Sequence, residues 1–340
     1  GQNRVTKDWY IEYGYPIRFP SIEVLTIGAG GGSLAWIDQG GSLRNGPQSA
    51  GSVPGPACYD TGGKVATNTD ANLALGRLGA ELAGGEINLK TDLAEKAVAS
   101  TVAKPLSMGV PEAAKAVLSV ANANMADAVR LISIARGYDP RDFALVAFGG
   151  AGGLHGVALA KELSIPTVIV PPNPGTTSAM GCLLVDIRHD IGQSYIAAAD
   201  DVNATKLDRE YRKLEKEAGE RLKHEGVAAK DMMFQRSVDM MYRGQWRTLS
   251  VDVPGDLTSM APVVNAFHQE HEREYNFRRD ETPVDLFRIS LSAVGITPKA
   301  KLAKHKLQKK TAKPTGRRKV WFDEKKGATD TPVYWRDDLH

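Results

Sequence analysis

Two glycine-rich turns, Gly28-Ala-Gly-Gly-Gly-Ser33 and Gly149-Gly-Ala-Gly-Gly153, limit what this chain can fold into more than any other feature. Each follows an apolar run, Ile22 to Ile27 in the first case and Phe143 to Phe148 in the second. That pattern predicts a buried strand ending in a tight turn. A backbone without Cβ atoms approaches an anion closely, and successive N–H groups can face one phosphate-sized hollow. The second turn also opens a helical pattern over 154–163, whose N-terminus adds the positive end of its dipole. Together the turns read as two jaws of a nucleotide site, with Gly28, Gly30, Gly31, Gly32 and Ser33 on one side and Gly149, Gly150, Gly152 and Gly153 on the other.

The 34 glycines are concentrated in the first 190 residues, and the chain changes character after that point. At 340 residues it is long enough for about two domains with proper cores. No apolar run is long enough to span a bilayer, so no membrane partner is expected. Cys58 and Cys182, the two cysteines, argue against a disulfide scaffold or a structural zinc site and point to a reducing, cytoplasmic home. The net charge of +3 conceals an imbalance: 299–319 holds ten Lys/Arg and no acid, leaving the remainder acidic. That run reads as an exposed basic linker rather than a nucleic-acid footprint.

In chain order, 1–20 reads as an aromatic, extended lead-in, with 4–17 resembling the middle of a domain. Short strands are predicted at 22–27, 33–38 and 42–44, then a long Gly/Pro/Ser loop over 46–69, which at that length is expected to be functional. Helices follow at 70–78, at 91–103 with Thr91 as N-cap, and at 111–136. The last opens on Pro111, ends at Gly137 and is expected to bury Val117, Val120, Ala128, Leu131 and Ile132. Asn122 and Asn124 in its middle read as buried anchors to another helix or as substrate ligands. Strand 143–148, helix 154–163, strand 167–171 and helix 177–186 give a β-α-β-α order. Beyond a boundary near Asp190 come a charged helix at 206–225 with Asp208 and Arg212 paired, and a hairpin over 234–253. A helix at 261–275 and a strand at 286–294 complete an α+β unit.

Five separated motifs resemble the hydantoinase A/5-oxoprolinase family, which includes acetone and acetophenone carboxylase subunits. They are 28–41, Gly46-Pro-Gln-Ser-Ala-Gly51, Pro54-Gly-Pro-Ala-Cys-Tyr59, Thr69-Asp-Ala-Asn-Leu-Ala-Leu-Gly-Arg77 and Phe148-Gly-Gly-Ala-Gly-Gly-Leu-His155. The likeness covers most of 16–190 and, more weakly, 332–338. It departs from the family pattern at Leu25, where many members carry His, and at Gly153, where Pro is usual. The resemblance implies an α/β, actin/hexokinase-like (RNase H-like) ATPase half-domain over 1–190, followed by a smaller α+β domain over 191–298. The basic linker and the start of a truncated C-terminal domain then occupy 299–340. It also implies ATP and Mg²⁺ as cofactors, 28–33 as a second phosphate loop and 149–153 as the adenosine-side turn. A hydantoinase B-type subunit and a missing N-terminal half of the same polypeptide are the implied partners. The implied activity is ATP-dependent opening of a cyclic amide such as hydantoin or 5-oxoproline by phosphorylation of the amide oxygen. ATP-dependent carboxylation of a ketone and a non-catalytic nucleotide- or partner-binding subunit are the alternatives.

Two residues are the catalytic candidates. His155 lies at a helix start, where the dipole disfavours a cation, so a neutral imidazole is expected. Asp70 reads either as a helix N-cap or as a ligand for Mg²⁺-bound water or a substrate group. Cys58 reads as a small buried hydrophobe. His268 and His271, three apart on a helix, read as a solvated face rather than a metal site, and no metal-binding residue is assigned.

Overall fold

A computed structural model of the chain describes residues 5–6, 9–10, 16–17, 21–22, 24–299, 312–322 and 327–339. The lead-in over 1–20 thus falls largely outside the described residues, as does the centre of the basic run. The chain divides into two compact units: 1–4, 22–180 and 302–340 form the first, and 5–21 with 181–301 the second. Among the described residues no helix is long and apolar enough to cross a membrane.

The first unit opens with an antiparallel hairpin, β1 (Ser33–Ile37) and β2 (Leu43–Ser49), with Ala35 opposite Asn45 and Ile37 opposite Leu43. Asp38 makes the turn: its carboxylate accepts the amides of Ser42 and Gly40 and pairs with Arg44, and the Ser42 amide, then the Arg44 guanidinium, hold its pKa below the usual carboxylate range. Helices α1 (Asn68–Ala74), α2 (Thr91–Val98) and α3 (Val110–Ile132) follow. Thr91 is the first helical residue of α2, and Lys90 is the cap position. The core here is built from small side chains, including Ala35, Ala71, Ala97, Ala113, Ala114 and Val117, so the helices can approach closely. Pro111 occupies the first turn of α3, and Gly137 ends its 3₁₀ extension at φ +80°. Its buried face differs from the one expected: Ala113, Ala114, Val117, Leu118, Ala121 and Ala126 are covered, whereas Leu131 and Ile132 are exposed.

Strand β3 (Ala144–Val146), helix α4 (Gly152–Glu162) and strand β4 (Thr167–Ile169) form a β-α-β unit, with β3 and β4 parallel and Leu145 opposite Val168. Gly156 lets α4 lie close on the strands, since a Cβ there would stand 3.0 Å from the Ala147 side chain and 3.2 Å from Val168. The strand expectations need correcting. Residues 24–27 carry no strand and leave Val24, Leu25 and Ile27 exposed, while β3 is three residues long and flanked by exposed Phe143 and Phe148. The apolar runs are real, but two strands cannot cover both faces of a parallel sheet, which is buried only when layers pack on each side.

Helix α5 (Thr177–Cys182) closes the first unit's run at Met180 and ends in the second unit, which is built on a four-stranded antiparallel sheet. Its strands are β5 (Ile187–Ala198), β6 (Met232–Tyr242), β7 (Leu249–Val253) and β8 (Val284–Gly295), in the order β5-β8-β6-β7. Helices α6 (Ala204–His224) and α7 (Ala261–Tyr275) supply the side chains that pack with one sheet face. Alternation sets that face: Val238, Met240 and Tyr242 on β6, with Leu286, Ile289 and Leu291 on β8, are buried. The hairpin turn over 243–245 has Gly244 at φ +89°. Strand β5 runs straight through Asp190.

Two readings in this unit change. His268 and His271 do not form a solvated face: they are 8% and 1% exposed, because α7 turns the same side inward as Phe267. Each is engaged, His268 Nδ1 at 2.7 Å from the Tyr242 hydroxyl and His271 Nδ1 at 2.8 Å from the Phe277 carbonyl. The basic run is not wholly a linker. Lys299 pairs with Asp186, and Arg317, Arg318 and Lys319 lie in β9 (Gly316–Val320), antiparallel to β10 (Thr329–Val333). This hairpin belongs to the first unit: Trp321 N–H donates to Leu75 O, and Arg77 Nε donates to Trp321 O. Gly76 is needed at that seam, at φ +67°, with a Cβ only 2.1 Å from Lys319 O.

A buried charge in the second unit sits at Arg236. Its guanidinium is 2% exposed, donates to Asp208 at 2.6 Å and Glu215 at 2.7 Å, and stacks over Tyr211. Asp208 also binds Arg212, as the spacing predicted. Removing one partner strands buried charge. Arg236→Ala should lower stability by about 3–5 kcal/mol in urea unfolding, while Arg221→Ala, at an exposed pair, should change it by under about 1 kcal/mol.

Candidate functional site

The first glycine turn is held by the residues behind it. Ser33 Oγ accepts the Gly30 amide and donates to Gly28 O. Asn68 Nδ2 donates to Gly30 O, Thr69 donates through both its amide and its hydroxyl to Gly31 O, and Ala50 N–H donates to Gly32 O. The loop's carbonyls at positions 28, 30, 31 and 32 are thereby tied, while the Gly31 and Gly32 amides donate to no acceptor among the described residues. Carbonyls bound and amides free is the polarity an anion requires. The packing is tight enough to require glycine: a Cβ at Gly28 would stand 2.7 Å from Pro47, and one at Gly31 2.8 Å from Thr69 Oγ1.

The second turn joins β3 to α4. Gly149, at φ +87°, donates its amide to Pro174 O, and the first-turn amides of α4 carry no side-chain cap from Ala151. Both turns line one cavity of about 740 Å³, to which Gly30, Gly31 and Gly32 contribute from one side and Gly150, Gly152 and His155 from the other. A Cβ placed on Gly31 would be 3.9 Å from that of Ala151, so the turns meet. Gly28, Ser33, Gly149 and Gly153 do not line the cavity; the first three build the turns that do. Tyr59, Leu78, Met125, Leu145 and Leu159 give it apolar walls, which the motif reading did not single out. Among the described residues no carboxylate lines it.

His155 is 5% exposed, and its Nδ1 lies 2.8 Å from Asn122 Oδ1 on α3. Of the two readings for Asn122, the anchor between helices is the one observed. Asn124 reaches the Asn45 carbonyl instead. Burial, then the positive Arg77, push the imidazole pKa below its ordinary value, consistent with a neutral ring. Its Nε2 is buried without a partner among the described residues, a condition that costs about 1–3 kcal/mol for a polar atom.

Asp70 is neither the N-cap nor a residue facing the cavity. The cap is Thr67, and Asp70 is the third helical residue of a reciprocal capping box. It is wholly buried, and its carboxylate accepts four hydrogen bonds, from the amides of Ala57, Cys58 and Thr67 and from the Thr67 hydroxyl. It thus pins the 50–67 loop to α1. Cys58 is buried beside it, and desolvation pushes its thiol pKa up, which makes it unreactive. Among the described residues no three His, Cys, Asp or Glu side chains cluster as a metal site.

With this geometry in place, the comparisons assign the family. The Hydantoinase/oxoprolinase family model matches residues 1–191 and the Hydantoinase/oxoprolinase C-terminal domain model matches 197–340, so the chain belongs to the hydantoinase/oxoprolinase family. It is similar to the crystal structure of the ATP-dependent caprolactamase from Pseudomonas jessenii, with 37% identity, a TM-score of 0.74, and coverage of 97% of this chain and 49% of that one. It is 33% identical to the acetophenone carboxylase gamma subunit of Aromatoleum aromaticum, over 92% of this chain and 45% of that protein. The nucleotide-free acetone carboxylase structure shares the fold, at a TM-score of 0.84 and 24% identity, covering 99% of this chain and 50% of that one. The chain therefore spans about half the length of the relatives it matches.

Two measurements follow. Asp70→Ala leaves three amides unpaired in the interior and should cost about 3 kcal/mol in chemical denaturation, far more than the loss of an exposed cap. For His155, the folded pKa lies below the unfolded one, so the contribution is intact above the ordinary histidine range and is lost as pH falls through it. Urea midpoints of the wild type should fall more steeply on acidification than those of His155→Gln.

Proposed function

We propose that this chain forms part of an ATP-dependent amidohydrolase that opens a cyclic amide of the hydantoin, oxoproline or lactam type. The observation that carries the reading is the meeting of the two glycine turns on one cavity, with carbonyls tied and the Gly31 and Gly32 amides donating to no acceptor among the described residues. Those amides suit the phosphates of ATP, and the apolar walls suit its base. When bound, ATP supplies a phosphoryl group that turns the amide oxygen into a leaving group and its carbon into an electrophile for water. Gly31, Gly32 and the α4 terminus would hold the phosphates, neutralise their charge and keep them oriented. His155 would act from the second turn as a neutral acceptor. Asp70 is assigned to holding the loop, not to the chemistry, because all its hydrogen-bonding capacity is spent inside the fold. Mg²⁺, for which the described residues offer no cluster of their own, would enter with the nucleotide.

In this reading the first unit is half of an actin/hexokinase-like ATPase, and the remaining half together with a B-type subunit completes the site. The two family models meet between 191 and 197, within β5, whereas the compact units divide between 180 and 181. Ketone carboxylation is the second reading, favoured by the acetophenone carboxylase likeness. Both readings use the same phosphoryl activation and differ in what attacks what.

ATP turnover by the full-length protein with its partner subunit, measured with a hydantoin, 5-oxoproline, a lactam, and a ketone plus bicarbonate, tests the assignment. Phosphate release dependent on a cyclic amide is the expected result. Release dependent on ketone and bicarbonate would replace it with the second reading, and no release with any substrate would refute both.

A further inference from the structure

Behind the first glycine turn lies a buried pair of side-chain amides, neither of which lines the cavity. Asn45 comes from β2, and Asn68 is the first residue of α1. Asn45 Nδ2 donates to Asn68 Oδ1 at 2.7 Å and, at 3.4 Å, to the Val117 carbonyl on α3. Asn68 Nδ2 donates in turn to Gly30 O at 2.8 Å. The core shared by α1 and α3 is otherwise built from small apolar residues, including Ala71, Ala113 and Val117. Apolar side chains would fill this space without the cost of desolvating two amides. What the asparagines add is a line of hydrogen bonds from α3 to one carbonyl of the turn.

The direction of that carbonyl sets the direction of the amide beside it. A trans peptide is planar, with its C=O and N–H pointing to opposite sides. The cis bonds lie at 46–47 and 53–54, so the Gly30–Gly31 bond is trans. With Gly30 O drawn toward Asn68, the Gly31 N–H is turned away from α1. Glycine on both sides leaves this peptide plane unusually free to rotate, so a donor outside the turn is needed to hold it. The Ser33 amide also reaches Gly30 O, at 3.2 Å, but it belongs to the turn and cannot fix it against the rest of the fold. The far end of the line is α3, whose Asn122 engages His155 on α4. One helix thus frames both turns.

We infer that Asn68, held by Asn45, is a positioning residue: it sets the Gly30–Gly31 peptide so that the Gly31 amide is presented to an anionic group of the ligand. That this group is a polyphosphate rests on the nucleotide reading; the setting of the peptide rests on the chain alone.

The test uses Asn45→Val/Asn68→Val in the full-length protein, which removes both amides together and fills their space. Replacing both ends of a buried hydrogen bond by apolar groups is close to neutral, so the urea midpoint should stay near that of wild type. Hydrogen–deuterium exchange of the peptide spanning 28–33 should quicken roughly tenfold, the loss of about one hydrogen bond, with a peptide from α2 unchanged. Calorimetric affinity for ATP and for inorganic triphosphate should fall by a similar factor. Affinity for adenosine, which has no phosphate, should not change. Asn68→Asp is the second variant: it keeps the bond from Asn45 but sets a carboxylate oxygen against Gly30 O, and its 28–33 peptide should exchange faster than wild type too. Exchange at the wild-type rate in both variants overturns the positioning role, whatever binds. Equal weakening of ATP, triphosphate and adenosine together with a lowered urea midpoint marks the pair as structural only and overturns it as well. Wild type that binds neither ATP nor triphosphate overturns the polyphosphate and the nucleotide reading, and the exchange rates then decide the setting of the peptide by themselves.

Discussion

The first unit depends on the opening turn of one short helix. Thr67, Asn68, Thr69 and Asp70 are consecutive, and each contributes a hydrogen bond to a loop that could not hold its own shape. Asn68 and Thr69 take the carbonyls of Gly30 and Gly31, and Asp70 takes the amides of Ala57 and Cys58. Thr67 closes the capping box that keeps the helix in place. Glycine-rich backbone has the largest entropy to lose on ordering, so these bonds decide whether the loop has one conformation. Asn45 extends the network through Asn68 to β2 and α3. An interior this polar is tolerable only because its groups satisfy one another.

That constraint also explains the division of labour inside the motifs. Residues that attract attention as potential ligands are mostly occupied with structure: Asp70 inside the capping box, Ser33 bridging its own loop. The atoms left free at the two turns, among the described residues, include the Gly31 and Gly32 amides and one imidazole nitrogen. A site built this way presents fixed dipoles instead of flexible charges, and fixed dipoles need little reorganisation when charge moves. The two units differ in style for the same reason. The first is rich in Gly and Ala and packs small residues closely, whereas the second has an ordinary antiparallel sheet whose covered face is large and aliphatic.

Several sequence expectations missed for a shared reason. The spacing of His268 and His271 put both on one face of α7, but spacing does not say whether that face looks outward. Leu131 and Ile132 continue the apolar pattern of α3 beyond the point where a partner covers it. Residues 24–27 and Phe143 to Phe148 are apolar enough for buried strands, yet pairing and cover come from other segments. The hairpin at 316–333 reads as basic linker and following strand in one dimension, and its contact with Leu75 and Arg77 spans more than 240 positions.

The chain order alone determined the helices from 91 to 136 and from 204 to 275, the β6–β7 hairpin and both glycine turns, because these follow from local propensity and caps. The tertiary structure brought the two turns, read in sequence as two jaws of one site, onto one cavity, and it alone decided that Asn122 supplies the partner of His155 and that Asp70 faces inward. Those are contacts between distant segments, set by which surfaces pack together, and no local pattern of residues encodes them.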